Sequence, residues 1–184
     1  MSKQPILQIF ENPSRPRSST FFCIVSFNQM EAYFRTKELC EDTFSKVYLE
    51  SNPMPKFTPD LSEKSINLLG EGTKILAFQR RIHRDELPEL KKKCILIREK
   101  VGKKDPSLRL IPGYVSPHNV ILSSIYDDFH RIYLFQGIYA EVIYKYERLQ
   151  MQYIDTAPEF FSMNEVIFFF NALRDYHIQT DTKY

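Results

Sequence analysis

The sequence has no tryptophan, only five glycines and only three cysteines among its 184 residues. Cysteines as widely spaced as Cys23, Cys40 and Cys94 exclude a disulfide framework or a paired metal knuckle, so we interpret them as reduced thiols in the core. No eighteen apolar residues run together, and the N-terminus lacks the apolar stretch of a signal peptide. We therefore expect a cytoplasmic protein without a membrane partner.

The sequence also lacks a strong charge of either sign. Its 25 basic and 23 acidic side chains leave a formal net charge of +2, too small a field to favour nucleic acid as a partner. The basic run from Arg80 to Lys104 is interleaved with acids such as Asp85 and Glu99. This pattern favours a solvated helix face over a phosphate-binding surface.

Several motifs that would name a function are missing. The segment Gly70-Glu-Gly-Thr-Lys74 comes near a phosphate-binding loop, but its glycine spacing is wrong and an acid lies inside it. The strand that follows Gly137 has aliphatic residues where an RNA-recognition sheet carries stacking rings. The four histidines have no metal-ligand spacing, so we predict no metal site. No motif in the sequence identifies a cofactor, so the cofactor is unknown.

The chain length favours one domain preceded by a tail, because 184 residues are few for two domains. Prolines and small polar residues over 11–19 predict an N-terminal tail at residues 1–18. We expect this tail to be flexible or to dock on a partner through its apolar residues 6–10. Residues 19–184 then form a single domain.

Apolar periodicity predicts the elements of that domain. Residues 20–27 are typical of a central strand buried on both faces, and residues 73–82 predict a second strand. Amphipathic helices are predicted at 29–47, with Asn28 and Glu31 as a capping box, at 85–101 and after Ser162. Strands at 119–125, 130–135, 138–146 and 149–154, with turns at Gln136-Gly137 and Glu147-Arg148, predict an antiparallel meander.

The fold class that follows is α+β. We expect a two-layer sandwich, in which three helices pack on a mostly antiparallel sheet with a C-terminal β-meander. The dipeptide Pro112-Gly113 is a strong turn signal, and we predict a turn there, just before the first strand of the meander.

Glu141 is the most unusual polar residue, because it lies between Ala140 and Val142 in an apolar strand, where an unpaired carboxylate carries a serious desolvation cost. A two-residue turn at Gln136-Gly137 would place Ile132 opposite Glu141, whereas a three-residue loop would place Arg131 there. A salt bridge and a ligand-binding carboxylate are both open interpretations.

Polar and aromatic groups near the turns of a rigid sheet form the candidate binding site, since recognition residues commonly lie there. The six candidates are Tyr114, His118, His130, Arg131, Tyr139 and Glu141.

Several segments of the chain resemble the bacterial domain-of-unknown-function family DUF4416. They are Pro112-Gly113-Tyr114, His130-Arg-Ile-Tyr-Leu134, Gly137-Ile-Tyr-Ala-Glu141 and Thr156-x-Pro158. The resemblance is most specific over residues 107–161. Family members resemble one another in polar Asn and Asp residues before Pro-Gly-Tyr, where this chain has Arg109 and Ile111, and in a Trp-Thr-Tyr-Pro-Asp-Tyr segment that here reads Asp155-Thr-Ala-Pro-Glu-Phe160. The resemblance implies no established reaction.

Two functions from different classes fit these observations. We favour a non-enzymatic binding module that uses the turn end of the meander to hold a protein partner or a small-molecule ligand. The alternative is a small-molecule enzyme or nucleotide-binding protein that acts on phosphate esters, with Glu141 as base and Arg131 and His130 as an anion clamp.

Overall fold

A computed structural model describes residues 13–58 and 69–181. Within these residues eight strands form one antiparallel sheet in the order β2-β3-β1-β4-β5-β7-β6, and β8 also pairs with β7. The strands are β1 (Ser19–Phe27), β2 (Val47–Glu50), β3 (Gly72–Ile82), β4 (Arg109–Val115), β5 (Asn119–Ser124), β6 (Ile132–Phe135), β7 (Ile138–Glu147) and β8 (Gln150–Tyr153). The helices are α1 (Met30–Thr43), α2 (Leu87–Val101) and α3 (Asn164–Asp181). The α+β class is confirmed.

Residues 1–12 of the predicted tail lie outside the described residues. Residues 13–17 are exposed and have no secondary structure. None of the helices over 13–58 and 69–181 is both long enough and apolar enough to cross a membrane.

Strand β1 lies at the centre of the core, and all nine of its residues are buried. Phe22 and Ile24 belong to the apolar cluster that includes α3. Phe21 and Cys23 belong to a second cluster with α1 and α2. A strand covered on both faces needs no polar face, which explains its continuous apolar sequence. The three helices are thus divided between the two faces of the sheet at β1, whereas the sequence analysis expected two layers.

The start of α1 is held by a side chain from outside the helix. The backbone N–H groups of Asn28 and Gln29 donate hydrogen bonds to Asp105 Oδ2 at 2.7 and 2.8 Å. Ser107 donates its N–H and its hydroxyl to the other carboxylate oxygen. The N-cap side chain makes no capping hydrogen bond. The predicted capping box is therefore wrong, and Asp105 supplies the acceptor that the helix start requires.

Replacing Asp105 with asparagine is expected to lower the free energy of unfolding at neutral pH by about 2 kcal/mol, because hydrogen bonds to a charged acceptor are the stronger ones. Burial alone would raise the pKa of Asp105, but hydrogen bonds from Ser107 and from the N–H groups of Gln29 and Asn28 outweigh burial and lower it. The carboxylate therefore stabilises the fold above its unfolded pKa, near about 3.9. That contribution is lost as the pH falls through the folded pKa.

Urea unfolding of both proteins between neutral pH and about pH 2 measures this effect. The difference in unfolding free energy should stay constant down to about pH 4 and shrink below it, in the window that the lowered pKa defines. A difference that persists unchanged into strong acid would contradict the assignment.

Strand β7 is the centre of the predicted meander, but its neighbours differ from those of a simple meander. β5 pairs with one edge of β7, while β6 and β8 both pair with the other edge, at its two ends. The turn at Gln136-Gly137 is confirmed, with φ of 50° and 77°, as a two-residue hairpin turn requires. The last turn lies one residue later than predicted, since Arg148 and Leu149 have the positive φ angles.

Pro112 and Gly113 lie inside β4, so the predicted turn at these residues is wrong. β4 runs between β1 and β5, and Gly113 pairs with Leu122. A Cβ atom at position 113 would lie 2.4 Å from the carbonyl oxygen of Ile121 and 2.4 Å from Cζ of Phe22. The glycine permits a close approach of neighbouring groups rather than a chain reversal.

Candidate functional site

The sheet splits between β4 and β5. The two strands pair only over residues 113–115 and 120–122. Beyond that ladder β4 stays on β1 over residues 109–112, and β5 stays on β7 over residues 123–124. Pro112 stands where the pairing stops, and it has no N–H group to extend the ladder. Instead, the Ser123 hydroxyl donates a hydrogen bond to the Pro112 carbonyl at 2.7 Å. We call this gap the β4–β5 split.

A cavity of about 330 Å³ opens at the β4–β5 split. Its walls come from both diverging strands, from α2 and from the segments around Phe57, Leu69 and Pro158. Isoleucines from three elements, Ile95, Ile111 and Ile125, contribute to the apolar part of the lining. A concave, mostly apolar cavity with a few polar groups is the usual form of a small-molecule site.

Three cations line one side of the cavity, namely Lys91, Arg98 and Arg109. Lys91 and Arg98 lie on α2 two turns apart, and Lys91 is only 8% exposed. Arg98 Nε donates to the carbonyl of Leu108 at 3.4 Å, and Arg109 Nη1 donates to the same carbonyl at 2.8 Å. These bonds hold both guanidinium groups at the start of β4. The lining therefore has a positive side, and Lys91 departs from the solvated helix face that the sequence favoured.

Glu141 is the acid of the cavity lining, and its charge is already compensated. The side chains of Glu141 and Arg131 are 3% and 1% exposed, and Arg131 Nε lies 3.1 Å from Glu141 Oε2. His130 Nε2 lies 3.0 Å from the same oxygen. Arg131 also donates to the carbonyl of Tyr126 at 3.3 Å. The salt-bridge interpretation of Glu141 thus agrees with the geometry, and Glu141 is also one of the residues that line the cavity.

The register at Glu141 combines the two alternatives that the sequence left open. The turn has two residues, as in the first alternative, but a bulge between Tyr133 and Phe135 shifts the β6–β7 ladder by one position. Ile132 consequently pairs with Ala140. Arg131 comes alongside Glu141, which is the outcome that a three-residue loop would have given.

The six candidate residues do not share one site. His130, Arg131 and Glu141 meet, and Tyr139 lies two residues before Glu141 on β7. Tyr114 packs against the cluster formed with α1 and α2, where burial raises its pKa. His118 lies at the opposite end of β5, and its carbonyl accepts a hydrogen bond from Tyr146 N–H at 2.8 Å. At about 3.3 Å per residue, this end is roughly 15 Å or more from Glu141.

The three cavity cations were not among the site residues predicted from the sequence, although the position of Lys91 in the helix pattern is unusual. Lys91 falls on the apolar face of α2, four residues after Leu87 and three before Cys94, both fully buried. A lysine at such a position must reach an acceptor or a polar cavity, because an isolated buried ammonium group is very costly. Nothing in the sequence pairs Arg109 with α2, since that contact depends on the order of strands.

The cysteines of the core are packed as buried thiols. The Sγ atoms of Cys23 and Cys94 lie 3.7 Å apart in the buried core. Burial, and then the hydrogen bond with Cys94, raises the pKa of the Cys23 thiol well above its usual value. A neutral thiol is a poor nucleophile and a poor metal ligand. Over the described ranges, no cluster of three or more His, Cys, Asp or Glu side chains is placed to hold a metal ion.

One family model matches most of the chain. It is described as a domain of unknown function (DUF4416), and the match covers residues 17–177. No curated protein and no solved structure matches significantly. Arg109 and Ile111, the residues that depart from the family pattern before Pro-Gly-Tyr, both line the cavity at the β4–β5 split.

Proposed function

The chain belongs to the DUF4416 family, and we propose that it is a non-enzymatic binding module whose ligand is a small organic anion held in the cavity at the β4–β5 split. The placement of Lys91, Arg98 and Arg109 on one side of a largely apolar cavity supports this proposal most directly. The anionic group of the ligand lies near α2 and the start of β4. Its apolar body lies among the isoleucines of the lining.

The size of the cavity supports a small ligand rather than a polymer. Its volume of about 330 Å³ is near the lower end of the range of roughly 300–1,000 Å³ for small-molecule sites. A carboxylate or phosphate group forms charge-assisted hydrogen bonds with lysine and arginine, and arginine suits both groups because its planar fork binds two oxygens at once.

The state of Glu141 favours binding over catalysis. A general base needs a lone pair directed at the substrate, and Oε2, one of the two carboxylate oxygens of Glu141, is already held by Arg131 and His130. Arg131 and His130 point at Glu141, so the positive side of the cavity is the better place for an anion.

One observation favours the alternative, an enzyme acting on phosphate esters, because Glu141 also lines the cavity. The two proposals are distinguished by assaying p-nitrophenyl phosphate hydrolysis with the wild type and with Glu141→Gln. Circular dichroism first checks that Glu141→Gln is folded. Turnover by the wild type that the folded variant lacks would support the enzyme and contradict a pure binding role.

The bacterial cytoplasm is the compartment that we propose for this function. The three cysteines are all buried free thiols, as is usual for proteins of a reducing compartment.

A panel of small anions is expected to raise the melting temperature of the wild type. The panel contains inorganic phosphate, citrate, hexanoate and a nucleoside 5′-monophosphate, and at least one member should give a rise of about 5 °C at a hundredfold excess over its dissociation constant. The double variant Arg98→Gln/Arg109→Gln should lose most of this rise, because it removes two of the three cavity cations. Differential scanning fluorimetry measures both effects.

Two controls make the ligand panel specific. The variant Lys100→Gln removes an exposed cation of the same helix outside the cavity, and it should respond to the panel as the wild type does. Hexanamide has the shape of hexanoate without its charge and should give no rise. The proposal fails if no anion stabilises the wild type, or if the double variant responds equally.

A further inference from the structure

Strand β6 ends the sheet and is apolar at every position. Among the described strands it pairs with β7 alone. Ile132, Tyr133 and Phe135 are 66%, 57% and 58% exposed, and Phe129, just before the strand, is 88% exposed. Edge strands are usually protected by charged side chains or proline. β6 has a bulge but neither charge nor proline. Its free edge therefore has the character of a pairing surface.

We propose that β6 is the dimerisation surface of this chain, and that two copies join their sheets by antiparallel pairing of β6 with β6 across a two-fold axis. A two-fold axis brings the same residues of both copies together. An uncharged strand with apolar side chains on both faces is complementary to itself in this arrangement. Addition of a strand satisfies the outer backbone groups, and the side chains of the added strand pack beside those of β6 on each face of the sheet.

The apolar area agrees with a dimer interface. At roughly 150–250 Å² for an aromatic side chain, the exposed parts of Phe129 and the four β6 residues come to on the order of 600 Å² per copy. This sum is divided between the two faces of the strand, and in size it is comparable with the largest apolar patch of an ordinary monomer, about 300–600 Å². A standard interface buries about 800 Å² per partner, so flanking residues complete the contact.

The charges that flank β6 also agree with antiparallel pairing. The exposed Asp127 precedes the strand, and Lys92 Nζ lies 5.8 Å from the Phe135 ring at its end. In an antiparallel pair the start of one strand faces the end of the other, so Asp127 of one copy approaches Lys92 of its partner. Of the two acids near Lys92, Asp85 pairs with Arg15 at 2.8 Å. Glu89 lies 3.9 Å from Lys92 itself, at the outer limit of an ion pair, so Lys92 still has donors for a second acid.

Sedimentation velocity of the full chain between about 1 and 100 μM tests the dimer. The wild type is expected to reach twice its chain mass of 21.9 kDa within this range. The variant Ile132→Lys/Phe135→Lys should remain at the chain mass, because it places four lysines in the paired strands. Circular dichroism of the variant checks that the sheet is intact. Phe168→Lys replaces a 77% exposed aromatic residue of α3 and should dimerise as the wild type does.

Three results would overturn the proposal. The first is a wild type that stays monomeric over the whole concentration range. The second is a dimer that survives Ile132→Lys/Phe135→Lys in folded form. The third is a chain lacking residues 2–12 that no longer dimerises, because the N-terminal segment would then make the contact in place of a second β6.

Discussion

Replacing Glu141 with leucine is expected to lower the free energy of unfolding by about 3–5 kcal/mol, the range found when one partner of a buried ion pair is removed. Arg131 would keep its bond to the Tyr126 carbonyl but lose the carboxylate 3.1 Å from its Nε. A buried guanidinium group cannot escape the cost by losing its proton, because arginine stays protonated in proteins. Urea unfolding followed by circular dichroism measures the loss.

The double variant Glu141→Leu/Arg131→Met separates the ion pair from packing. It removes both charges, so part of the stability lost in Glu141→Leu should return. The loss in the double variant should be smaller than the sum of the losses in Glu141→Leu and Arg131→Met. Glu147→Gln is the matched control, because this exposed acid of the same strand pairs with Lys145 at 2.7 Å and should cost less than about 1 kcal/mol. Equal losses for Glu141→Leu and Glu147→Gln would contradict the buried pair.

Gly113→Ala is expected to be at least as harmful, with a loss of about 4 kcal/mol or more, up to failure to fold. The new Cβ atom would lie 2.4 Å from the carbonyl oxygen of Ile121 in the neighbouring strand. That oxygen belongs to the backbone of a paired strand and cannot move aside as the end of a flexible side chain can. The close contact with Phe22 lies in the core around β1, where the ring is fully buried.

Gly137→Ala provides the comparison for Gly113→Ala. Gly137 has a φ of 77° and no atom within 4 Å of an added Cβ, so alanine there costs only the strain of a left-handed backbone, about 1 kcal/mol. Thermal unfolding of the two variants should therefore differ by several kcal/mol. Similar losses in the two variants would contradict the conclusion that Gly113 is required by the close approach of Ile121 and Phe22.

Periodicity alone was enough to predict much of this fold. The continuous apolar run of β1 and the alternating strands after residue 119 gave the α+β class, and the positions of three helices followed from apolar residues three and four apart. Gln136-Gly137 was recognisable as a hairpin turn because glycine readily adopts positive φ. Each of these features depends on residues that are close in sequence.

The predictions that were wrong concern residues whose role depends on contacts with residues distant in sequence. Pro112-Gly113 is typical of turns, yet the proline ends a ladder and the glycine lets two strands approach each other. The register at Glu141 depends on a bulge in β6, which cannot be deduced from the residues of the hairpin turn. Asp105 caps a helix that begins at Met30, far from it in sequence. The cavity cations come from α2 and β4, which meet only because of the strand order.

The central claim is that a small anion binds in the cavity at the β4–β5 split, and isoleucine methyl NMR tests its location most directly. During titration to about 10 mM with the panel member that stabilises the protein most, the δ1 methyl signals of Ile95, Ile111 and Ile125 should move and saturate together. The signals of Ile82 and Ile178, which do not line the cavity, should stay in place. No saturable shift at the three cavity isoleucines, or a saturable shift only elsewhere, would contradict the claim.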